Sequence, residues 1–111
     1  MDEQKRRVGK NEALFRHINE EVDEVNRGLA ELTDHTIHIV CECGDLECQE
    51  RLVVPLRAYE DVRSDPTLFF VVPGHEIPST ESVVDEGRGY RVVRKDEGGP
   101  AEHARATDPR S

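Results

Sequence analysis

The chain has 111 residues, of which 35% are charged and 35% hydrophobic, and its formal net charge is -9. This acidic balance disfavours direct binding to a phosphate backbone, so nucleic acid is an unfavourable partner. No run approaches the ~20 apolar residues that a membrane helix requires. Because no apolar stretch follows the charged opening Met1–Lys10, we expect a cytoplasmic protein in which thiols stay reduced.

The material for a hydrophobic core is limited, since the chain has no Trp, three Phe and two Tyr. A small domain with so little to bury often needs a disulfide or a metal. Three cysteines leave one thiol over in any disulfide pairing, whereas metal ligation can use an odd number. We predict a flexible N-terminus over residues 1–10, a single zinc-binding α+β domain over residues 11–95 and a disordered tail over residues 96–111.

The first predicted element is an amphipathic helix over Asn11–Leu32, with Asn11 as its N-cap. Its apolar residues recur at spacings of three and four and form one stripe. These residues are Leu14, Ile18, Val22, Val25 and Leu29. We expect the stripe to pack on the rest of the same domain, and a coiled-coil dimer is the alternative.

A β-hairpin is predicted next, from Thr36–Val40 and the returning strand Arg51–Val54. Alternation along the first strand places Ile37, Ile39 and Cys41 on one face. The tip of this hairpin carries the three cysteines.

The remaining predicted elements complete an α+β fold with a small antiparallel sheet of hairpins. A short helix covers Pro55–Arg63 and a buried strand covers Leu68–Val72. The strand ends in the turn Pro73-Gly74-His75-Glu76. A last hairpin joins Glu81–Asp85 to Tyr90–Lys95.

Cys41, Cys43 and Cys48 form the candidate metal site. Cys41 and Cys43 are two residues apart and face the same side of an extended strand. Gly44 allows the backbone to turn, so that Cys48 can come back towards them. Structural zinc sites are closed tetrahedra of sulfur and nitrogen, and a fourth ligand is therefore expected.

His75 is the favoured fourth ligand, because its Pro-Gly turn follows a buried strand that could place it beside the hairpin. His38 lies on the strand face opposite Cys41, and the other candidates are His35, His17 and water. The C-x-C-x4-C spacing differs from the standard zinc patterns. An iron–sulfur cluster and three free thiols therefore stay open as alternatives to Zn2+.

The chain resembles a group of short, uncharacterised actinobacterial proteins with a zinc-knuckle-like pattern. The segments that carry the resemblance are Cys41-Glu42-Cys43-Gly44 through Cys48, Pro73-Gly74-His75-Glu76 and Asn11-Glu12-Ala13-Leu14-Phe15-Arg16. The resemblance covers roughly Asn11–Lys95. It implies a GC-rich bacterial source and a metal-site role for the three cysteines and His75, and it implies no activity. Pro55 departs from it, since a helix-capping Thr is expected there.

These features favour a small zinc-binding protein whose metal is structural and which acts as a protein-protein interaction or regulatory module. Its acidic surface suits a partner protein with a basic patch. The main alternative is a redox-sensing zinc–thiolate switch. The sequence leans away from enzymatic activity, because neither H-E-x-x-H nor H-x-E with P-C-x-x-C is present.

Two further alternatives depend on particular charged residues. A zinc hydrolase or deaminase would use Glu42 or Glu76 as its general acid or base. A nucleic-acid-binding zinc knuckle would need a local basic face. The residues that suggest such a face are Arg88, Arg91, Arg94 and Lys95.

Overall fold

The fold is α+β, as the sequence predicts. The computed structural model describes residues 3–27 and 35–110. In chain order the elements are α1 (Glu3–Arg27), β1 (Thr36–Val40), β2 (Arg51–Pro55), α2 (Leu56–Arg63), β3 (Leu68–Val71), β4 (Glu81–Gly87), β5 (Tyr90–Lys95) and α3 (Gly99–Ala106).

The strands form two antiparallel sheets. β1 and β2 form the predicted hairpin, with Ile37 opposite Val54 and Ile39 opposite Leu52. The second sheet has the order β3-β5-β4, so β5 pairs with a strand on each side. The chain leaving β1 then lies beside β3, where the Glu42 amide donates to the Phe70 carbonyl at 2.8 Å. The two sheets therefore meet next to the cysteines.

The main hydrophobic core lies between the hairpin, α2 and the middle of the second sheet. Its aromatic part is a stack of Tyr59 on Phe70 with centroids 5.9 Å apart, and Tyr90 meets Phe70 edge-on at 5.6 Å. Each fully buried side chain of this kind contributes about 1.5–3 kcal/mol. The buried members are Ile37, Ile39, Leu52, Val54, Tyr59, Val62, Phe70 and Val92.

The long helix begins earlier than predicted, and the expected flexible N-terminus has to be corrected. α1 is helical from Glu3, because Lys, Arg, Gln and Glu are good helix formers. Asn11 is not an N-cap, because it lies in the middle of α1. Its side-chain amide donates to the Gly44 carbonyl at 2.9 Å. The predicted end of the helix, with Leu29, lies outside the described residues.

The predicted packing direction of α1 is wrong. Leu14, Ile18 and Val25 are 49%, 36% and 71% exposed, and Val22 is only partly buried against the core. The face that meets the rest of the protein is polar instead. Its buried members are Glu12, Arg16, Asn19, Glu20 and Asp23. Each has polar or ionic partners inside the fold, which offset the cost of its burial.

Arg16 and Glu12 place ionisable groups deep inside the fold. The Arg16 guanidinium donates to the carbonyls of Pro66 at 2.6 Å and Ala104 at 2.8 Å, and it lies over the Phe69 ring. Burial lowers the pKa of Arg16. Glu12 belongs to a second group, the Lys95 cluster, which consists of Lys95, Glu12, Glu81 and Thr80. Lys95 Nζ lies 2.9 Å from Glu12, 2.8 Å from Glu81 and 3.2 Å from the Thr80 hydroxyl.

The expected disordered tail also has to be corrected, since α3 occupies Gly99–Ala106. Its Ala101 and Ala104 are buried. These alanines are three residues apart and lie on the same face of α3, where their small side chains let the helix lie close to the sheet. They add little to the hydrophobic content of the segment. Beyond α3, the Arg110 guanidinium contacts carboxylates on α1 and α2. Those partners are Glu20, Asp23 and Glu60.

Candidate metal centre

The loop between β1 and β2 carries the three cysteines and is fixed by its own backbone. The Cys41 amide donates to the Glu50 carbonyl, and the Cys48 amide donates to the Asp45 carbonyl, both at 3.0 Å. Gly44 has φ +83, a left-handed conformation that glycine adopts without steric cost. A Cβ at Gly44 would also come within 2.8 Å of Val8, so α1 passes directly over this turn.

His75 comes from the turn that follows β3. Gly74, with φ +96, reverses the chain, and the His75 amide donates to the Val72 carbonyl at 2.9 Å. Glu76 stabilises the turn, because its carboxylate accepts the Gly74 amide at 2.9 Å and an Arg91 N–H at 2.7 Å. These bonds fix the turn and with it the position of His75.

The structure brings the four predicted site residues together. One ligand atom from each of Cys41, Cys43, Cys48 and His75 lies within 4.8 Å of all the others. His75 Nδ1 is 3.6 Å from both Cys41 Sγ and Cys48 Sγ. Cys41 and Cys43 are buried, whereas Cys48 and His75 are half-buried. This Cys3His cluster could hold a metal ion.

The surroundings of the sulfur atoms favour neutral thiols unless a cation is bound. Burial raises the pKa of Cys41 and of Cys43. Two backbone amides act in the opposite direction, since the Val72 amide donates to Cys41 Sγ at 3.2 Å and the Asp45 amide to Cys43. A cation in the cluster would stabilise the thiolates directly.

The other histidines considered as ligands lie elsewhere. His38 is exposed on β1. His35 is exposed before that strand, and its carbonyl accepts the Leu56 amide. His17 is exposed on α1, 3.2 Å from Glu21. Within residues 3–27 and 35–110, the Cys3His cluster is the one group of three or more His, Cys, Asp or Glu side chains that lie close enough together to hold a metal ion.

Glu42, between two of the cysteines, is the residue whose role sequence reasoning missed. Its side chain is fully buried and points away from the cluster. The two carboxylate oxygens accept four hydrogen bonds. The donors are Arg63 Nη1 at 3.0 Å and Nη2 at 2.8 Å, Asn19 Nδ2 at 2.7 Å and the Phe70 amide at 3.0 Å. We call this group the Glu42 cluster.

The Glu42 cluster ties the cysteine loop to three other elements. Asn19 comes from α1, Arg63 from α2 and Phe70 from β3. Burial alone would lower the pKa of Arg63, but the adjacent Glu42 carboxylate raises it, so Arg63 keeps its charge. Alternation along the extended chain is the signal that could have revealed this role, because Cys41 and Cys43 face one side and Glu42 the other.

Neither acidic residue suggested as a general acid or base is free to act as one. Glu42 is saturated with donors and buried. Donation from backbone amides, with Arg91 beside it, lowers the pKa of Glu76. Both carboxylates are therefore engaged in holding the loop and the turn.

The predicted basic face also has to be corrected. Lys95 is buried in the Lys95 cluster. Arg91 pairs with Glu76 at 2.7 Å, and Arg94 lies 3.6 Å from Asp65. Three of the four basic residues thus have acidic partners, which weakens the case for a phosphate-binding surface.

Comparisons with known proteins give no family for this chain. No protein-family model, no curated protein and no solved structure matches it. Among the helices of the described residues, none has the length and apolar character needed to cross a membrane. The role of the Cys3His cluster is therefore argued from its own chemistry.

Proposed function

We propose that Cys41, Cys43, Cys48 and His75 bind one zinc ion that stabilises the fold, and that the protein acts as a protein-protein interaction or regulatory module. The observation that carries the metal assignment is the spacing between ligand atoms. In a tetrahedral site with Zn–S near ~2.3 Å and Zn–N near ~2.1 Å, a sulfur and a nitrogen lie about 3.6 Å apart. The two distances from His75 Nδ1 are 3.6 Å.

The donor set favours zinc over other metals. Three sulfurs and one imidazole nitrogen form one of the common closed zinc sets. Hard cations such as Mg2+ and Ca2+ prefer oxygen ligands. With four protein ligands, no position is left for a reacting water, so a structural role is favoured over a catalytic one.

The interaction role is supported by the outward face of α1. Leu14, Ile18 and Val25 leave a run of aliphatic surface on a chain that has few large apolar residues. Side chains of this kind on one helix face typically mark a surface for another protein segment. A zinc ion beneath the Gly44 turn would fix the loop on which α1 rests.

A redox-sensing zinc–thiolate switch is the second candidate, favoured by the accessibility of the cluster. A shallow cleft of about 320 Å³, lined by Cys43, Asp45, His75 and Ile77, reaches the ligands from the surface. Through it an oxidant could attack a thiolate and release the metal. Retention of zinc by the protein in mild hydrogen peroxide would favour the purely structural role.

The zinc assignment is tested by measuring metal content on protein purified without added metal. We expect about one zinc per chain in the wild type. His75→Ala should lose zinc at chelator concentrations that the wild type withstands, because only three protein ligands remain. His38→Ala is the matched control, since it removes an exposed histidine from β1. Removal of zinc should unfold the protein partly or wholly.

Cobalt substitution gives a readout of ligand geometry. A tetrahedral Cys3His site should give intense d–d bands and thiolate charge-transfer absorption, and His75→Ala should alter the d–d bands. Absence of metal from the wild type, or equal retention in His75→Ala and His38→Ala, would contradict the assignment.

A further inference from the structure

The exposed apolar side chains of α1 lie on a single line along the helix. We call Leu14, Ile18 and Val25 the outer stripe. At 3.6 residues per turn these three lie within about 40° of one another around the helix axis. Their exposed fractions of 49%, 36% and 71% place the stripe on the side away from the rest of the protein. It is a narrow seam of the kind that packs against one other helix.

Charges of opposite sign flank the two halves of this line. Arg6 and Lys10 are exposed before Leu14, and Glu21 and Glu24 are exposed after Ile18. All four fall on the same flank of the stripe, within about 60° around the axis. Glu3 lies on the same flank and pairs with Arg6 and Arg7, so the N-terminal half of this flank is basic only in net charge, and the C-terminal half is acidic. Each half complements the other half and repels a copy of itself.

The charges that flank the outer stripe favour an antiparallel copy of the same helix as the partner. A helix laid antiparallel on an identical helix, centred near residue 16, would bring Leu14 of each copy opposite Ile18 of the other. Lys10 would then lie near Glu21 of the second copy, and Arg6 near Glu24, on the shared flank. In a parallel pair this flank would instead face the opposite flank of the second helix, which carries no charged residue between Gln4 and Val22, so the four charges would stay unpaired. The antiparallel pair thus joins Leu14 to Ile18 and pairs the charges of the flank, while Val25 lies against the aliphatic stem of Arg7 of the second copy.

We propose that the partner of α1 is a second copy of this chain, bound as an antiparallel helix pair through the outer stripe. This inference rests on the proposed interaction role and names its partner. The interface is isologous, with the same patch on both copies. Because it uses three aliphatic side chains per copy, we expect a dissociation constant in the micromolar range.

The side-chain pairs within α1 on this surface do not compete strongly with the second copy. Arg6 lies 3.8 Å from Glu3, and Glu21 lies 3.2 Å from His17. Both pairs are more than half exposed, and exposed pairs of this spacing contribute only about 0.3–0.5 kcal/mol. Their side chains can therefore turn to a partner helix at small cost.

The test is sedimentation equilibrium of the zinc-containing protein over a concentration series. The wild type should pass from monomer to dimer, and the transition should weaken in high salt. Leu14→Glu should raise the dissociation constant more than about tenfold, since it places a charge in the seam of both copies. Glu is as good a helix former as Leu, so α1 itself should persist. Val84→Glu, at a similarly exposed site on β4, is the matched control.

Charge reversal tests the antiparallel register. Lys10→Glu and Glu21→Lys should each weaken self-association about threefold to tenfold, because each creates two like-charged contacts. The double variant Lys10→Glu/Glu21→Lys should restore it. An equimolar mixture of the two single variants should also associate, as each supplies the charge that the other needs.

Zinc content is measured on the same samples, so that the two proposals fail separately. A zinc-containing protein that stays monomeric up to several hundred micromolar would overturn the dimer and leave the metal assignment intact. Dimerisation that Leu14→Glu weakens no more than Val84→Glu, or that the double charge reversal fails to restore, would also overturn the proposed interface. Absence of zinc from a dimeric wild type would overturn the metal assignment alone.

Discussion

Two buried charged clusters hold α1 on the rest of the protein, and they differ in charge balance. The Glu42 cluster pairs one carboxylate with one guanidinium, and two further donors fill the remaining acceptor positions. The Lys95 cluster places two carboxylates, Glu12 and Glu81, around one ammonium. A balanced cluster should be indifferent to pH near neutrality, whereas an unbalanced one should bind a proton.

The unequal balance appears in the titration of Glu12. Burial, opposed in part by Lys95 and reinforced by Glu81, raises the pKa of Glu12 to about 8. With a proton on Glu12, the Lys95 cluster is neutral overall. In the Glu42 cluster one carboxylate faces one guanidinium, so the formal charges balance. The cost of burying charge is therefore reduced in both clusters. In the Glu42 cluster the carboxylate has a counter-ion, and in the Lys95 cluster the second carboxyl group binds a proton.

The largest effect is expected from breaking the balanced cluster. Glu42→Gln leaves the Arg63 guanidinium buried without its counter-ion, and loss of one partner of a buried pair costs about 3–5 kcal/mol. The free energy of unfolding, measured by urea denaturation in excess zinc, should fall by this amount. Glu47→Gln, which changes an exposed residue of the same loop, is the control. Equal stability of the two variants would contradict the role given to Glu42.

An intermediate effect is expected from the unbalanced cluster, and it depends on pH. The folded-state pKa of Glu12 lies above its ordinary value of 4.5, so the folded protein binds this proton more tightly than the unfolded chain. Its stabilisation is complete below pH 4.5 and is lost as pH rises through about 8. Between pH 6 and 9 the wild type should lose about 1–3 kcal/mol more than Glu12→Gln.

If the free energy of unfolding changed equally with pH in the wild type and Glu12→Gln over this range, Glu12 would carry no proton in the folded state. Both proteins are compared in excess zinc, so that the titration of the thiols affects them alike.

The smallest effect is expected from Arg110, which contacts acidic residues outside both clusters. Its guanidinium is 29% exposed and partly screened by water. Arg110→Ala should lower the free energy of unfolding by about 1 kcal/mol or less. Arg57→Ala, which removes an exposed arginine from α2, should have no measurable effect. A loss as large as that of Glu42→Gln would mean that the C-terminal contacts matter more than the buried pair.

The sequence predicted those features that depend on local pattern. Period-two alternation identified β1 and β2, and the Pro-Gly turn placed His75 near the cysteines. Both depend on residues close together in the chain, where geometry limits the choices. Cys41, Cys43 and Cys48 lie within one loop, so their approach needed only a turn at Gly44.

The features that the sequence did not predict depend on distant partners. The amphipathic pattern of α1 indicated a helix. Its inward face is set by Glu42, Lys95 and the carbonyl of Ala104, which all lie far from α1 in the sequence. α3 was missed for a related reason. Its Gly, Pro and charged residues have the composition of a tail, and its buried side chains are two alanines, Ala101 and Ala104.

The alternation of Cys41, Glu42 and Cys43 also constrains how the length of the chain can vary. Insertion or deletion of one residue before Cys43 would exchange the two sides of the strand, turning a cysteine towards Arg63 and a carboxylate towards His75. Both the cluster and the buried pair would be lost in one event. The exposed residues Asp45, Leu46 and Glu47 can accept such a change more easily, because the loop there is open to solvent. Length variation among homologous chains should accordingly fall between Gly44 and Cys48.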